Sequence, residues 1–129
     1  MLVSTPTGST AYAFSAGGPV LWPELDALLL VPLSAHALFA RPLVLGPNSV
    51  ITVDLIPTAR TQGVVWCVGS RSVDVRPGMQ IEVNRGEHRL RLARLSQSPF
   101  TNRLVNKFQL PVEGWRGNSE WARGRGSQR

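Results

Sequence analysis

The sequence holds one cysteine, Cys67, in 129 residues. A single thiol excludes a disulfide within the chain and a thiolate metal cluster. Cys67 lies in the apolar run Val64-Val65-Trp66-Cys67-Val68. That context reads as a small strand residue rather than a reactive thiol, and the usage fits a reducing compartment. Long apolar runs are also lacking. The longest, Ala27 to Leu33, is seven residues and contains Pro32, far short of the ~20 that a membrane-crossing helix needs. Met1-Leu2-Val3 shows neither the charged start nor the apolar stretch of a secretory leader. A soluble, cytoplasmic protein with no membrane partner is expected.

Catalytic groups are equally sparse. The eight carboxylates are Glu24, Asp26, Asp54, Asp74, Glu82, Glu87, Glu113 and Glu120. None is paired at a glycine-rich turn where it could hold a metal or act as a base. The two histidines, His36 and His88, are far apart and have no partner at metal-ligand spacing. A Gly-x-Ser-x-Gly elbow and a Walker A lysine are both absent. No catalytic or metal-ligating residue is therefore assigned.

What is present is a globular composition, 43% hydrophobic and 17% charged, too apolar for a disordered chain. Fourteen basic against eight acidic residues give a net charge of +6. Such a balance permits nucleic acid, an anionic membrane or a phosphate-bearing small molecule as partner. No aromatic-basic stripe or zinc spacing points to nucleic acid, and no such partner is expected.

The densest feature is Thr5-Pro6-Thr7-Gly8-Ser9-Thr10-Ala11-Tyr12, with four hydroxyl residues, a proline, a glycine and a tyrosine in eight positions. A plain turn uses two or three such residues, so the string reads as a polar wrap for a ligand. Thr10 to Ala16 has helix-forming spacing, with Gly8-Ser9 as turn and cap and Gly17-Gly18-Pro19 as the stop. Helix amides at such a start suit an anion or a ribose-phosphate group.

Downstream the pattern predicts a mainly β fold, a sandwich of short strands. A turn falls at Trp22-Pro23-Glu24. Strands are expected at 27–33, 41–45, 49–55, 63–68, 72–75, 80–83 and 88–95. Gly46-Pro47-Asn48, Gly69-Ser70 and Arg76-Pro77-Gly78 mark turns, the last two suggesting hairpins. A bulge is expected at Ala93-Arg94-Leu95, where alternation slips. Ser98 as cap and Pro99 at the first helical position open a second helix. It carries Phe100, Leu104 and Phe108 on one face, ends before Pro111 and is expected to close the sandwich. Residues 1–113 are read as one domain and 114–129 as a basic Gly/Arg-rich tail, expected to be disordered.

The string Val3-Ser4-Thr5-Pro6-Thr7-Gly8-Ser9-Thr10-Ala11-Tyr12, with Ser15 and Gly17-Gly18-Pro19 behind it, resembles a signature of the NAD kinase family. Weaker similarities follow in order: His36 with Arg41-Pro42-Leu43-Val44, then Arg94-Leu95 with Pro99-Phe100 and the closing helix. The resemblance spans residues 3 to about 117. It implies the C-terminal, substrate-binding β domain of an enzyme that phosphorylates the adenosine ribose 2'-hydroxyl of NAD to give NADP. It further implies that Thr7, Thr10, Ala11, Tyr12 and Ser15 contact NAD. ATP or polyphosphate is the implied donor, bound outside this segment, with Mg2+ or another divalent cation carried on the donor nucleotide. A homodimer or homotetramer is also implied.

Two departures matter. The family's Gly-Gly-Asp-Gly motif, which binds donor phosphates and carries the catalytic aspartate, does not occur in this sequence, nor does its Asn-Glu motif. The chain therefore reads as a truncated fragment, expected to be inactive alone. Val68-Gly69 stands where the family usually shows Asp-Gly, which removes a carboxylate expected near the substrate. The alternative reading is a non-catalytic nucleotide-binding or oligomerisation module.

Overall fold

In a computed structural model, the described residues are 1–36, 40–58, 62–67, 70–88, 90–91, 93, 95 and 98–112. They fall in two compact units, Met1–Leu90 and Arg91–Arg129. Val68 and Gly69, Arg94, Glu113 and the tail from 114 lie outside the described residues.

The first unit is mainly β. Its strands are β1 (Leu2–Ser4), β2 (Leu28–Val31), β3 (Leu43–Leu45), β4 (Ile51–Asp54), β5 (Gly63–Cys67), β6 (Arg71–Val75) and β7 (Gln80–Val83). They form three small antiparallel sheets, ordered β1-β2-β3, β4-β7 and β5-β6. A 3-10 helix, Pro6–Thr10, and a one-turn helix α1, Tyr12–Ser15, follow β1 directly.

The core lies where these helices cover the first sheet. Ala13, Leu21, Leu29 and Val31 are buried together, with Leu2 and Ala16 packed against them. Although Leu28 to Val31 is wholly apolar, burial alternates along it, and Leu29 and Val31 carry the core. The pleat explains this, since only every second side chain faces α1. Burying Leu29 and Val31 stabilises the unit by about 1.5–3 kcal/mol each.

In β4 the expected alternation holds. Ile51 is buried, Val53 and Leu55 are half-buried, and Thr52 and Asp54 are exposed. Leu55 also approaches the β5-β6 hairpin. A methyl placed on Gly63 would meet the Val75 side chain at 2.9 Å and Leu55 at 3.4 Å. Arg85 pairs with Asp26 at 3.0 Å, tying the end of β7 to the segment before β2.

Three expectations are corrected and one strand is added. Leu2–Ser4 is a strand that the sequence pattern did not mark. The described positions within 88–95 are not in strands, and the bulge expected at 93–95 includes the undescribed Arg94. The Arg76-Pro77-Gly78 turn exists, with Met79 N–H donating to Arg76 O at 3.1 Å and Gly78 at φ +84°, the shape of a type II turn. It does not close a β6-β7 hairpin, because β7 pairs with β4 instead. Backbone bonds from Gly78 N–H to Leu55 O and from Leu55 N–H to Met79 O, each 2.9 Å, carry the chain across to that partner. Finally, the second helix starts one residue late, with Pro99 rather than Ser98 as its cap.

In the second unit, α2 spans Phe100–Phe108. Its expected apolar face, Phe100, Leu104 and Phe108, is half-buried. The Arg103 guanidinium lies 5.2 Å from the centre of the Phe100 ring. Gln109, at φ +50°, closes the helix as Leu110 N–H reaches Val105 O at 3.1 Å.

Candidate functional site

The hydroxyl-rich string leaves the sheet from its edge strand, β1. Pro6 opens the 3-10 helix at its first turn, where a fixed φ helps and the missing N–H is not needed. Pro6, Ser9 and Ala13 are buried, at spacings that put them on one face of two successive short helices. The other face is left outward: Thr7, Ala11, Tyr12 and Ser15 are exposed and Thr10 is half-buried. All five residues expected to meet a ligand thus share one continuous segment. Tyr12 is 65% exposed.

The expectation for Ser9 was a helix cap, and the structure gives it another task. Its side chain is fully buried. Its hydroxyl donates to the Pro6 carbonyl at 2.6 Å and accepts from the Leu21 N–H at 2.9 Å. Ser9 therefore pins the motif to the segment twelve residues on. Helix α1 begins at Tyr12 after the Ala11 junction, with no side-chain cap. The expected continuous helix from Thr10 is instead a 3-10 turn followed by one α turn.

The predicted stop is realised in full. Gly17 has φ +85°, its N–H donates to Phe14 O at 3.0 Å, and Gly18 N–H donates to Ala13 O at 2.8 Å. These two bonds with a left-handed glycine make a Schellman closure. Gly18 has no room for a side chain: a methyl there would lie 2.7 Å from Ala13 O and 3.0 Å from the Val31 side chain.

Chemically, the outward face offers three hydroxyls, one aromatic ring with a phenol, and a small residue. Hydroxyls donate and accept, so they suit ribose and amide groups. An exposed tyrosine ring can lie against a planar base. None of the five is a carboxylate, histidine, lysine or cysteine. Among the described residues, no group of three or more His, Cys, Asp or Glu could hold a metal ion. His36 and His88 are both exposed.

Comparison with known proteins decides the family. The model of the ATP-NAD kinase C-terminal domain matches residues 1–95. The chain belongs to the NAD kinase family. It is 65% identical over 116 residues to an NAD kinase of Cutibacterium acnes, covering 90% of this chain and 36% of that protein. It is 62% identical over 117 residues to NAD kinase 2 of Streptomyces coelicolor, covering 91% and 38% respectively. The chain thus spans little more than a third of the length of these relatives. Among solved structures, yeast NADH kinase complexed with NADH superposes with a TM-score of 0.54 at 34% identity, over 64% of this chain and 23% of that one. The β fold seen here is therefore that of an NAD kinase C-terminal domain.

Proposed function

We propose that this chain is the NAD-holding domain of an NAD kinase. The whole enzyme transfers a phosphoryl group from ATP or polyphosphate to the adenosine ribose 2'-hydroxyl of NAD, making NADP. Thr7, Thr10 and Ser15 supply hydrogen bonds to the dinucleotide, Ala11 leaves space for it, and Tyr12 lies along its planar part. The observation that carries this reading is the division of labour within one motif. Pro6, Ser9 and Ala13 are spent on the fold, while Thr7, Ala11, Tyr12 and Ser15 face outward in a domain matched by the NAD kinase family model. The NADH bound in the yeast relative's structure supports the same ligand class.

Phosphoryl transfer depends mainly on positioning and charge stabilisation. This chain contributes positioning of the acceptor. The donor cradle and the base are assigned to a Gly-Gly-Asp-Gly segment that the sequence does not contain. Mg2+ or another divalent cation would be carried on the donor phosphates and would neutralise charge there. A cytoplasmic homodimer or homotetramer is part of the same proposal.

The test uses an NAD kinase containing this domain. Tyr12→Ala raises the KM for NAD and leaves the KM for ATP near its starting value. Equal losses for both substrates would overturn the placement of Tyr12 at the NAD site.

A further inference from the structure

The floor beneath the motif holds a polar group that the fold does not satisfy. Ser4, the last residue of β1, sits opposite the fully buried Leu29 in the sheet register. Its Oγ is buried and has no hydrogen-bond partner among the described residues. Buried hydroxyls are nearly always paired, and an orphaned one destabilises the state that contains it. Directly above lies Gly8, in the middle of the 3-10 turn. A methyl built on Gly8 would stand 3.1 Å from Ser4 Cβ, 3.7 Å from Ser4 Oγ and 3.9 Å from Thr5 Oγ1. The turn that carries Thr7 and Thr10 thus rests on Ser4 with almost no clearance.

These observations oppose each other. The backbone at Gly8 comes close to Ser4, yet the buried Ser4 hydroxyl has no bond among the described residues. Ser9, one residue further on, shows the satisfied alternative, with a donor and an acceptor both engaged. A serine at position 4 is therefore not explained by the stability of this conformation. Alanine would keep the Cβ contact without an orphaned oxygen.

We propose that Ser4 is a positioning residue of the dinucleotide site. Its hydroxyl gains a partner in the turn above it when a dinucleotide engages the outward hydroxyls of Thr7 and Thr10. The stabilisation forgone in the free domain is recovered on binding. The ligand is an NAD-class dinucleotide, and Ser4 acts through the turn without touching it. This inference rests on the proposed NAD site and goes beyond it by assigning a role to a buried hydroxyl below that site.

The opposite signs of two readouts test it. In the full chain, Ser4→Ala raises the melting temperature of the free protein by roughly 2–4 °C. The same change raises the Kd for NAD, read by calorimetry, about 5- to 30-fold. Ser4→Cys keeps the shape with a weak donor, and its Kd falls between those of the wild type and Ser4→Ala. A merely structural serine moves the melting temperature alone. Equal Kd values for all three proteins, with wild type binding NAD, would overturn the role of Ser4 and leave the NAD site standing. Wild type that does not bind NAD would overturn both. A Ser4→Ala protein less stable than wild type would also overturn it, because the hydroxyl would then already be satisfied.

Discussion

Ser9 and Leu21, twelve residues apart, are joined by a buried bond in which the Leu21 N–H donates to the Ser9 hydroxyl at 2.9 Å. The bond holds the inner side of the hydroxyl-rich string to the core residue Leu21, and Ala13 packs with Leu29 and Val31. Ser9→Ala would leave the Leu21 amide buried without this partner. A destabilisation of about 1–3 kcal/mol is expected, read as a lower midpoint in urea. An unchanged midpoint would mean that the bond contributes nothing net.

Tyr12 should behave in the opposite way. It is 65% exposed, and surface substitutions away from special features usually stay within about 0.5 kcal/mol. Tyr12→Ala is expected to leave the urea midpoint nearly unchanged while weakening NAD binding. A large loss of stability would move Tyr12 from the ligand surface to the fold.

Gly18 is required by space. The 2.7 Å approach to Ala13 O and 3.0 Å to Val31 leave a methyl nowhere to go without shifting backbone. Gly18→Ala is expected to destabilise by about 1–3 kcal/mol, the ordinary range for overpacking. Gly17→Ala acts by a different route, since nothing lies within 4 Å but φ is +85°. It should cost about 1 kcal/mol from the left-handed backbone alone. Thermal melts of the two variants, compared side by side, check both.

Much of this was legible in the sequence. Thr52 and Asp54 alternate with Ile51 and Val53, so the faces of β4 could be read directly. Gly17-Gly18-Pro19 marked the helix stop because few residues other than glycine take a left-handed cap. The motif named the candidate site residues through its resemblance to a family signature, and the structure adds that Thr7, Ala11, Tyr12 and Ser15 are exposed. Other features were not legible, for definite reasons. β1 has three residues, too few to show a period. The partner of β7 depends on long-range bonds between Leu55 and the 76–79 turn, whereas the local signal favoured the adjacent strand. Ser9 and Thr10 are chemically alike, and only the geometry of the 3-10 turn sends one inward. Ser4 looked like a flank of the motif because nothing in a sequence reports whether a hydroxyl finds a partner.

The isolated chain also exposes apolar surface. Trp66 is 68% exposed and Val64 stands beside it on the outer face of β5, with Ile56 and Val73 also exposed. Surfaces of this kind favour association. Self-association is expected at tens of micromolar, on the order of ordinary assay concentrations, and light scattering measures it. A clean monomer would contradict it.

Kinase activity should be absent from the chain alone. A coupled assay with NAD, Mg2+ and either ATP or polyphosphate is expected to give NADP no faster than the buffer blank, because the Gly-Gly-Asp-Gly motif to which the proposal assigns the donor cradle and base does not occur in the sequence. Turnover above the blank would place both within these residues.

The most direct measurement is a calorimetric titration of NAD into the chain, with Tyr12→Ala run alongside. Saturable binding to the wild-type chain, weakened about tenfold or more in the variant (a change of 1.4 kcal/mol or more), is the expected result. No binding to the wild type, or the same Kd for both proteins, would contradict the assignment of the outward face of Thr7–Ser15 to NAD.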